Sequence, residues 1–407
     1  MTTSWRSVTP TRNQDATLRL ASTAATWAFF LGGIALLLLG GCDDPSVRAP
    51  NTDVQQRLQE VLDTSVEKPD VMLPGAIAHY HSPAYRPWSG AAGLGQVPPA
   101  VAMRPHDRFR AGSVLKTLLA TVTLQHVEEG ALALDQKLPT LLPASVTARI
   151  ANAEQISLRM LLNHTSGIPE WNSPAFDAQV IADPGRIWTA DEFIDIASRL
   201  PPSFAPGTSW SYSNTDYNLL GLVLDRLDGK TWRTQVRERV LDRLAMAHTS
   251  LPEPGDPTVP GDYAHGYQDV EGTVMDLSKV DPSMAGAAGG HALVTTVQDL
   301  GRFLDALLAG QLFARPTTLA TMLTMVDAPD VSGLPHRYGL GLEEYRLPSG
   351  VTVVGHSGST AGYAVMMFRV PSAGDTTLVT FVNTNDLFVN ALEVFIPAVN
   401  VVTDASR

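Results

Sequence analysis

"RFRAGSVLKTLLA", residues Arg108 to Ala120, opens basic and aromatic, passes through small residues and then runs apolar at helical spacing. Ser113 and Lys116 stand three apart in it, and positions i and i+3 share one face of a helix. A lysine held beside a serine on a buried face is desolvated, which lowers its pKa and lets it act as a base. A serine hydroxyl is a weak nucleophile until such a base takes its proton. A serine in the first helical turn also has backbone N–H groups without an intrahelical partner beside it, the donors an oxyanion needs.

Working outward, Leu115, Leu118, Leu119, Val122 and Leu124 extend the helix to a C-cap at Gly130. Upstream, residues 43–53 read as a polar tether. Val54, Leu58, Val61 and Leu62 then recur at helical spacing. "MLPGAIAHY" (72–80) predicts a strand entered through Pro-Gly, and the segment after it predicts a turn and a second strand. From about 135 to 285 the pattern is helical, broken by Pro and Gly loops. "TADEFIDIASRL" (189–200) carries a capping box of Thr189 and Glu192, and "NTDYNLLGLVLDRLDG" (214–229) predicts a helix ending at Gly229. Strand patterns return at 350–358, 363–370 and 376–383, the last two linked as a hairpin by "PSAGD" (371–375). A closing helix from near Leu387 to Val399 is expected to kink or end at Pro397. Strands at both ends and helices between them predict an α/β (α+β) fold. An antiparallel sheet flanked by helices is assembled from both chain ends, with a mainly helical domain inserted and a cleft between the two.

Two more motifs follow Ser113-Val-Leu-Lys116. They are Tyr212-Ser213-Asn214 in "PGTSWSYSNTDYNLLG" and His356-Ser357-Gly358 in "VVGHSGSTAGY". With the blocks "ISLRMLLNHTSGIPEW", "AAGGHALVTTVQDLGRF" and "YGLGL", they resemble, in order, the penicillin-recognising serine hydrolases of the class C β-lactamase and D-alanyl-D-alanine carboxypeptidase type, over about residues 68–400. The resemblance implies a β-lactamase/transpeptidase-like fold, with an α/β part at about 68–135 and 286–400 and a helical part at about 136–285. It assigns acylation to Ser113, the general base to Lys116 and proton delivery to Tyr212. Asn214 would bind the substrate amide. His356, Ser357 and Gly358 would form the strand that the substrate pairs with, and the N–H groups of Ser113 and Ser359 the oxyanion hole. Class C β-lactamases carry Lys-Thr-Gly at the third motif, and a lysine there helps hold a substrate carboxylate. His356 supplies at most a partial charge near neutral pH.

The net charge of −12 argues against nucleic-acid binding, which needs basic stripes. His79 and His81 share a strand face but lack a third ligand, so no metal or cofactor is expected. In "NHTSGIPEW", which contains His164 and Ser166, Thr165-Ser166-Gly167 reads as a turn lining the cleft. Residues 21–41 carry no charge, follow Arg6, Arg12 and Arg19, and end in "LGGC" at Cys42, the one cysteine of the chain. That layout is a secretory signal, and its end resembles a bacterial lipobox. The resemblance implies a signal peptide at 1–41, a lipid on Cys42, a tether and short helix at 42–67, and an extracytoplasmic, membrane-anchored lipoprotein. An uncleaved anchor is the alternative.

Three functions are carried forward. The first is a D-alanyl-D-alanine carboxypeptidase acting on peptidoglycan peptides. The second is an esterase or β-lactamase with the same acyl-enzyme chemistry. The third is a lipoprotein that binds wall peptides without turnover.

Overall fold

A computed structural model of the chain describes residues 49–68, 72–385 and 390–406. Its helices are α1 (Thr52–Val66), α2 (Leu115–Glu128), α3 (Leu138–Leu141), α4 (Ala144–Thr147), α5 (Leu158–Leu162), α6 (Pro174–Ala182), α7 (Ala190–Ser198), α8 (Asn214–Leu224), α9 (Trp232–Val236), α10 (Val297–Leu308), α11 (Pro316–Met322) and α12 (Leu392–Asp404). Its strands are β1 (Gly75–Ser82), β2 (Tyr85–Gln96), β3 (Val101–Ala102), β4 (Phe109–Arg110), β5 (Tyr267–Val270), β6 (Thr273–Asp276), β7 (Val294–Thr295), β8 (Val326–Val331), β9 (Leu334–Tyr338), β10 (Glu343–Arg346), β11 (Thr352–Thr360), β12 (Tyr363–Val370) and β13 (Thr376–Val382).

Nine of these strands form one antiparallel sheet in the order β3-β2-β1-β13-β12-β11-β10-β9-β8. β1 pairs with β13, Ala76 opposite Val382, so strands from the two chain ends meet inside the sheet, as the pattern predicts. Both faces of the central strands are covered, and their residues alternate between two cores, the period a strand imposes. On β12, Ala364, Met366, Phe368 and Val370 join the core beneath α1 and α12, with Val394, Phe395 and Val399. Tyr363, Val365 and Met367 join the core on the opposite face, with Leu118, Leu119 and Val122 of α2 and Leu300 and Phe303 of α10.

Several boundaries differ from the expectations. The α1 segment is more than part of a tether: Val54, Leu58 and Leu62 are fully buried in the core shared with α12. The 136–285 segment is not wholly helical, because β5 and β6 form a hairpin in it. The α8 helix stops at Leu224, short of Gly229. The last helix runs on through Pro397 to Asp404. An interior proline costs about 3 kcal/mol. Burying Val394, Phe395, Val399 and Val402 recovers roughly 1.5–3 kcal/mol for each, so packing wins. Strands β8 to β10 were not anticipated; all three are short, and only β9 alternates strictly between buried and exposed positions.

Candidate active site

The site forms where three elements converge: the turn leading into α2, the start of α8, and the edge of β11. Residues Gly112–Val114 make a single tight helical turn before α2. Gly112 has φ +52, and a Cβ there would stand 2.6 Å from Ser359 O. Gly358 answers it from β11, where a Cβ would stand 2.1 Å from Ala111 O. Two glycines therefore let the nucleophile's turn press against β11.

Beyond Gly355, which faces Glu343, β11 has no β10 partner. Its other edge stays paired with β12 through Thr360. The N–H of Ser357 points to the open side and donates to Glu343 Oε2 at 2.7 Å. In a regular strand the N–H two residues on points the same way, so that of Ser359 also faces the open side. The N–H of Ser113 precedes the first bond of its turn, Val114 N–H to Ala111 O. Two backbone donors thus border the serine.

Lys116 is fully buried. Its Nζ lies 3.1 Å from Ser113 Oγ and 2.7 Å from Asn214 Oδ1, and it also contacts Ala288 O. The last two atoms only accept hydrogen bonds. A neutral amine has two N–H groups; when these go to Asn214 and Ala288, its lone pair is left for the Ser113 hydroxyl. Burial pushes the Lys116 pKa down to about 7, against the opposing pull of Glu170, Glu343 and Asp216. Tyr212 hydrogen-bonds with Ser113, and its ring lies 4.8 Å from the lysine Nζ. Burial drives the Tyr212 pKa well above 10, so the phenol keeps its proton.

Asn214 is held at both ends. Its N–H donates to Glu170 Oε2 at 2.7 Å, while its Oδ1 takes the lysine. Ser357 and Ser359 line the cleft, whose volume is about 570 Å³. His356 does not line it. The imidazole is fully buried, with Nδ1 donating to Ser357 O (2.6 Å) and Nε2 accepting from Tyr338 Oη (2.9 Å). Burial lowers its pKa to about 3. The partial charge expected at this motif is therefore absent near neutral pH. Gly358 also points away from the cleft, against Ala111.

The turn in "NHTSGIPEW" was expected to line the cleft. Instead His164 and Ser166 are buried, and the wall is made by Glu170, Trp171 and Asn172 just after them. Reasoning from sequence missed Glu170, Glu343, Trp210 and Tyr345, which share that wall. Glu170 carried a usable signal, because it stands three residues past Gly167 in a turn already assigned to the cleft. Glu343 carried none. His79 contacts Ser89 (Nδ1 to Oγ, 2.9 Å) and His81 contacts Asp305, both away from the cleft. Cys42 and residues 1–41 lie outside the described residues.

The chain matches the Beta-lactamase family model over residues 61–395. It is 31% identical to penicillin-binding protein 4 of Amycolatopsis lactamdurans over 38% of this chain, and it spans only 39% of that protein's length. It is 28% identical to esterase EstB of Burkholderia gladioli, covering 65% of this chain and 72% of the esterase. Among solved structures, a D-stereospecific amidohydrolase from Streptomyces sp. superposes with a TM-score of 0.74 at 31% identity, covering 84% of this chain and 97% of that one.

Proposed function

The chain belongs to the beta-lactamase family and is a serine hydrolase, and from that premise we propose that it acts on esters or amides with no carboxylate beside the scissile bond. One observation carries this reading. The cleft wall holds the acids Glu170, Asp177 and Glu343 and, among the described residues, no lysine or arginine. The third motif adds no charge, because His356 is buried and neutral near pH 7. A substrate carboxylate would meet these acids with no cation but Lys116, which must be neutral to act as the base, a mismatch that weakens binding. Neutral acyl groups, or acyl groups bearing an amine, fit the same wall. The esterase and amidohydrolase similarities support this choice.

In the proposed reaction the Ser113 proton passes to neutral Lys116 as Oγ bonds to the acyl carbon. The N–H groups of Ser113 and Ser359 hold the oxyanion. Tyr212 relays a proton to the leaving alcohol or amine as the old bond breaks. Water then repeats the steps on the acyl-enzyme. The D-alanyl-D-alanine carboxypeptidase expected from the sequence ranks second, supported by the penicillin-binding relative. Export, with a lipid on Cys42, remains a proposal from the sequence. Fatty-acid labelling in a bacterial host that is lost in Cys42→Ala supports it; labelling that persists removes it.

The deciding experiment incubates the purified protein with a short-chain nitrophenyl ester, D-phenylalanine amide, benzylpenicillin and an acyl-D-Ala-D-Ala peptide, with intact mass recorded in parallel. Ester or amide turnover well above D-alanine release supports the proposal. Faster D-alanine release, with a lasting penicilloyl adduct on Ser113, overturns it in favour of the carboxypeptidase.

A further inference from the structure

His164 and Asp216 lie beneath Tyr212 with no exposed side-chain surface, and the reaction just described uses neither. His164 grips the chain on both sides of Tyr212. Its carbonyl accepts the Ser211 N–H at 3.1 Å, and its Nδ1 accepts the Ser213 N–H at 3.3 Å. Its ring lies 4.5 Å from the Tyr212 ring. Asp216, in the first turn of α8, places Oδ2 3.0 Å from the same Nδ1 and accepts the Ser166 hydroxyl on Oδ1 at 2.6 Å.

Nδ1 thus has two neighbours, Ser213 N–H and Asp216 Oδ2. If Nδ1 carried a proton, the Ser213 N–H would face another N–H. Both contacts are attractive only if Nδ1 is bare, and Oδ2 must then supply the proton to it. The His164 proton consequently sits on Nε2, which has no hydrogen-bond partner among the described residues. The ring is enclosed by Tyr212, Tyr217, Tyr338 and Trp210, whose faces are weak acceptors for such an N–H.

We propose that His164 and Asp216 form a neutral acid–imidazole pair that positions Tyr212 while placing no charge beside Lys116. An ionised Asp216 pulls the lysine's pKa upward, and a neutral one removes that pull. Burial acts in the same direction, raising the Asp216 pKa and lowering that of His164. The charged and titratable groups facing the pair are Lys116 on α2, Glu170 in the loop after Gly167, Tyr217 on α8, His336 and Tyr338 on β9, and His356 on β11. Tyr212 itself also faces Glu343 on β10.

The inference rests on the Ser113–Lys116–Tyr212 chemistry, so its test has one readout that needs no turnover. In the ¹⁵N-histidine-labelled protein, the His164 ring is expected to show the neutral Nε2–H tautomer from about pH 5 to about pH 9. The His164 signal is identified by its loss in His164→Asn. A protonated or Nδ1–H ring overturns the proposal even if the enzyme is inactive. In acylation by a fluorophosphonate, His164→Ala is expected to lose about 10²-fold in rate, the scale of a misplaced catalytic group, with little change in half-saturating concentration. His164→Asn should recover most of that loss, because asparagine tolerates the φ of +61 found at His164 and offers an oxygen to Ser213 N–H. Asp216→Asn should leave the acid limb of the pH–rate profile in place. A shift of that limb to lower pH by about one unit or more would reveal a carboxylate in the parent and overturn the proposal. Failure of the parent protein to acylate would count against the hydrolase chemistry; an active parent with an unaffected His164→Ala would count against the pair alone.

Discussion

Lys116 shows what one residue is asked to do. Its carbon stem belongs to a core helix, yet its amine sits where water would ordinarily hold a charge. Near its pKa of about 7 it is half neutral, and only the neutral form takes the serine proton. Acylation of Ser113 should therefore rise with pH through about 7 and flatten above it, as a pH series of fluorophosphonate labelling would show. Lys116→Ala should fold and lose acylation by at least about 10³-fold, a base's contribution together with its positioning. Wild-type acylation in that variant would remove the base assignment. Tyr212→Phe should slow turnover by about 10²-fold with folding retained, read from steady-state kinetics and circular dichroism. The serine–lysine spacing was legible because a helix places i and i+3 together by local geometry alone. Glu343 was not legible, since its role depends on where β10 stops pairing with β11, and no local pattern encodes that.

At the scale of elements, the site depends on how closely a helical turn approaches a strand edge. Gly112 and Gly358 set that distance. Gly112→Ala forces a side chain into a φ of +52 and against Ser359 O. The turn and the strand must then separate, which moves the two oxyanion donors apart. A loss of about 10²-fold in acylation rate is expected, with fluorophosphonate binding less affected. Unchanged rates would show that the two N–H groups do not act together. The elements legible in sequence had strong local periodicity or caps. Both capping-box bonds between Thr189 and Glu192 are present, and β12 spans the predicted residues 363–370. The elements that were missed, β5, β6 and β8 to β10, are four to six residues long and pair in local hairpins, too short for a periodicity to show. Continuation of α12 through Pro397 was hidden for a different reason, because the burial that outweighs the proline is tertiary.

For the whole molecule, the α1 and α12 layer closes one face of the sheet. Arg57 pairs with Asp404 at 3.2 Å, and Lys68 pairs with Glu393. These pairs are exposed and contribute little; the apolar contacts beneath them carry the closure. Phe395, fully buried, packs on Phe368 with ring centroids 5.3 Å apart. Phe395→Ala should cost about 3–5 kcal/mol in denaturant unfolding while leaving the acylation rate of the folded fraction intact. A cost below about 1 kcal/mol would mean that this face is not integral to the folded unit. The plan of strands at both ends was readable because each end carries short apolar, β-branched or aromatic runs bounded by Pro and Gly turns, whereas the register between the ends was not.

That register bears on how the chain comes into being. Gly75 N–H donates to Asn383 Oδ1, 308 positions away, and β1 meets β13 beside it. A ribosome releases β1 long before β13 exists. Until the last strand emerges, β1 has one bare edge, and the sheet that aligns β11 with the serine turn lacks its centre. Contacts so distant in sequence make assembly slow and leave an unpaired edge open to wrong partners. The site is thus inert until β13 has been made, and its nucleophile is armed by a strand far downstream of it.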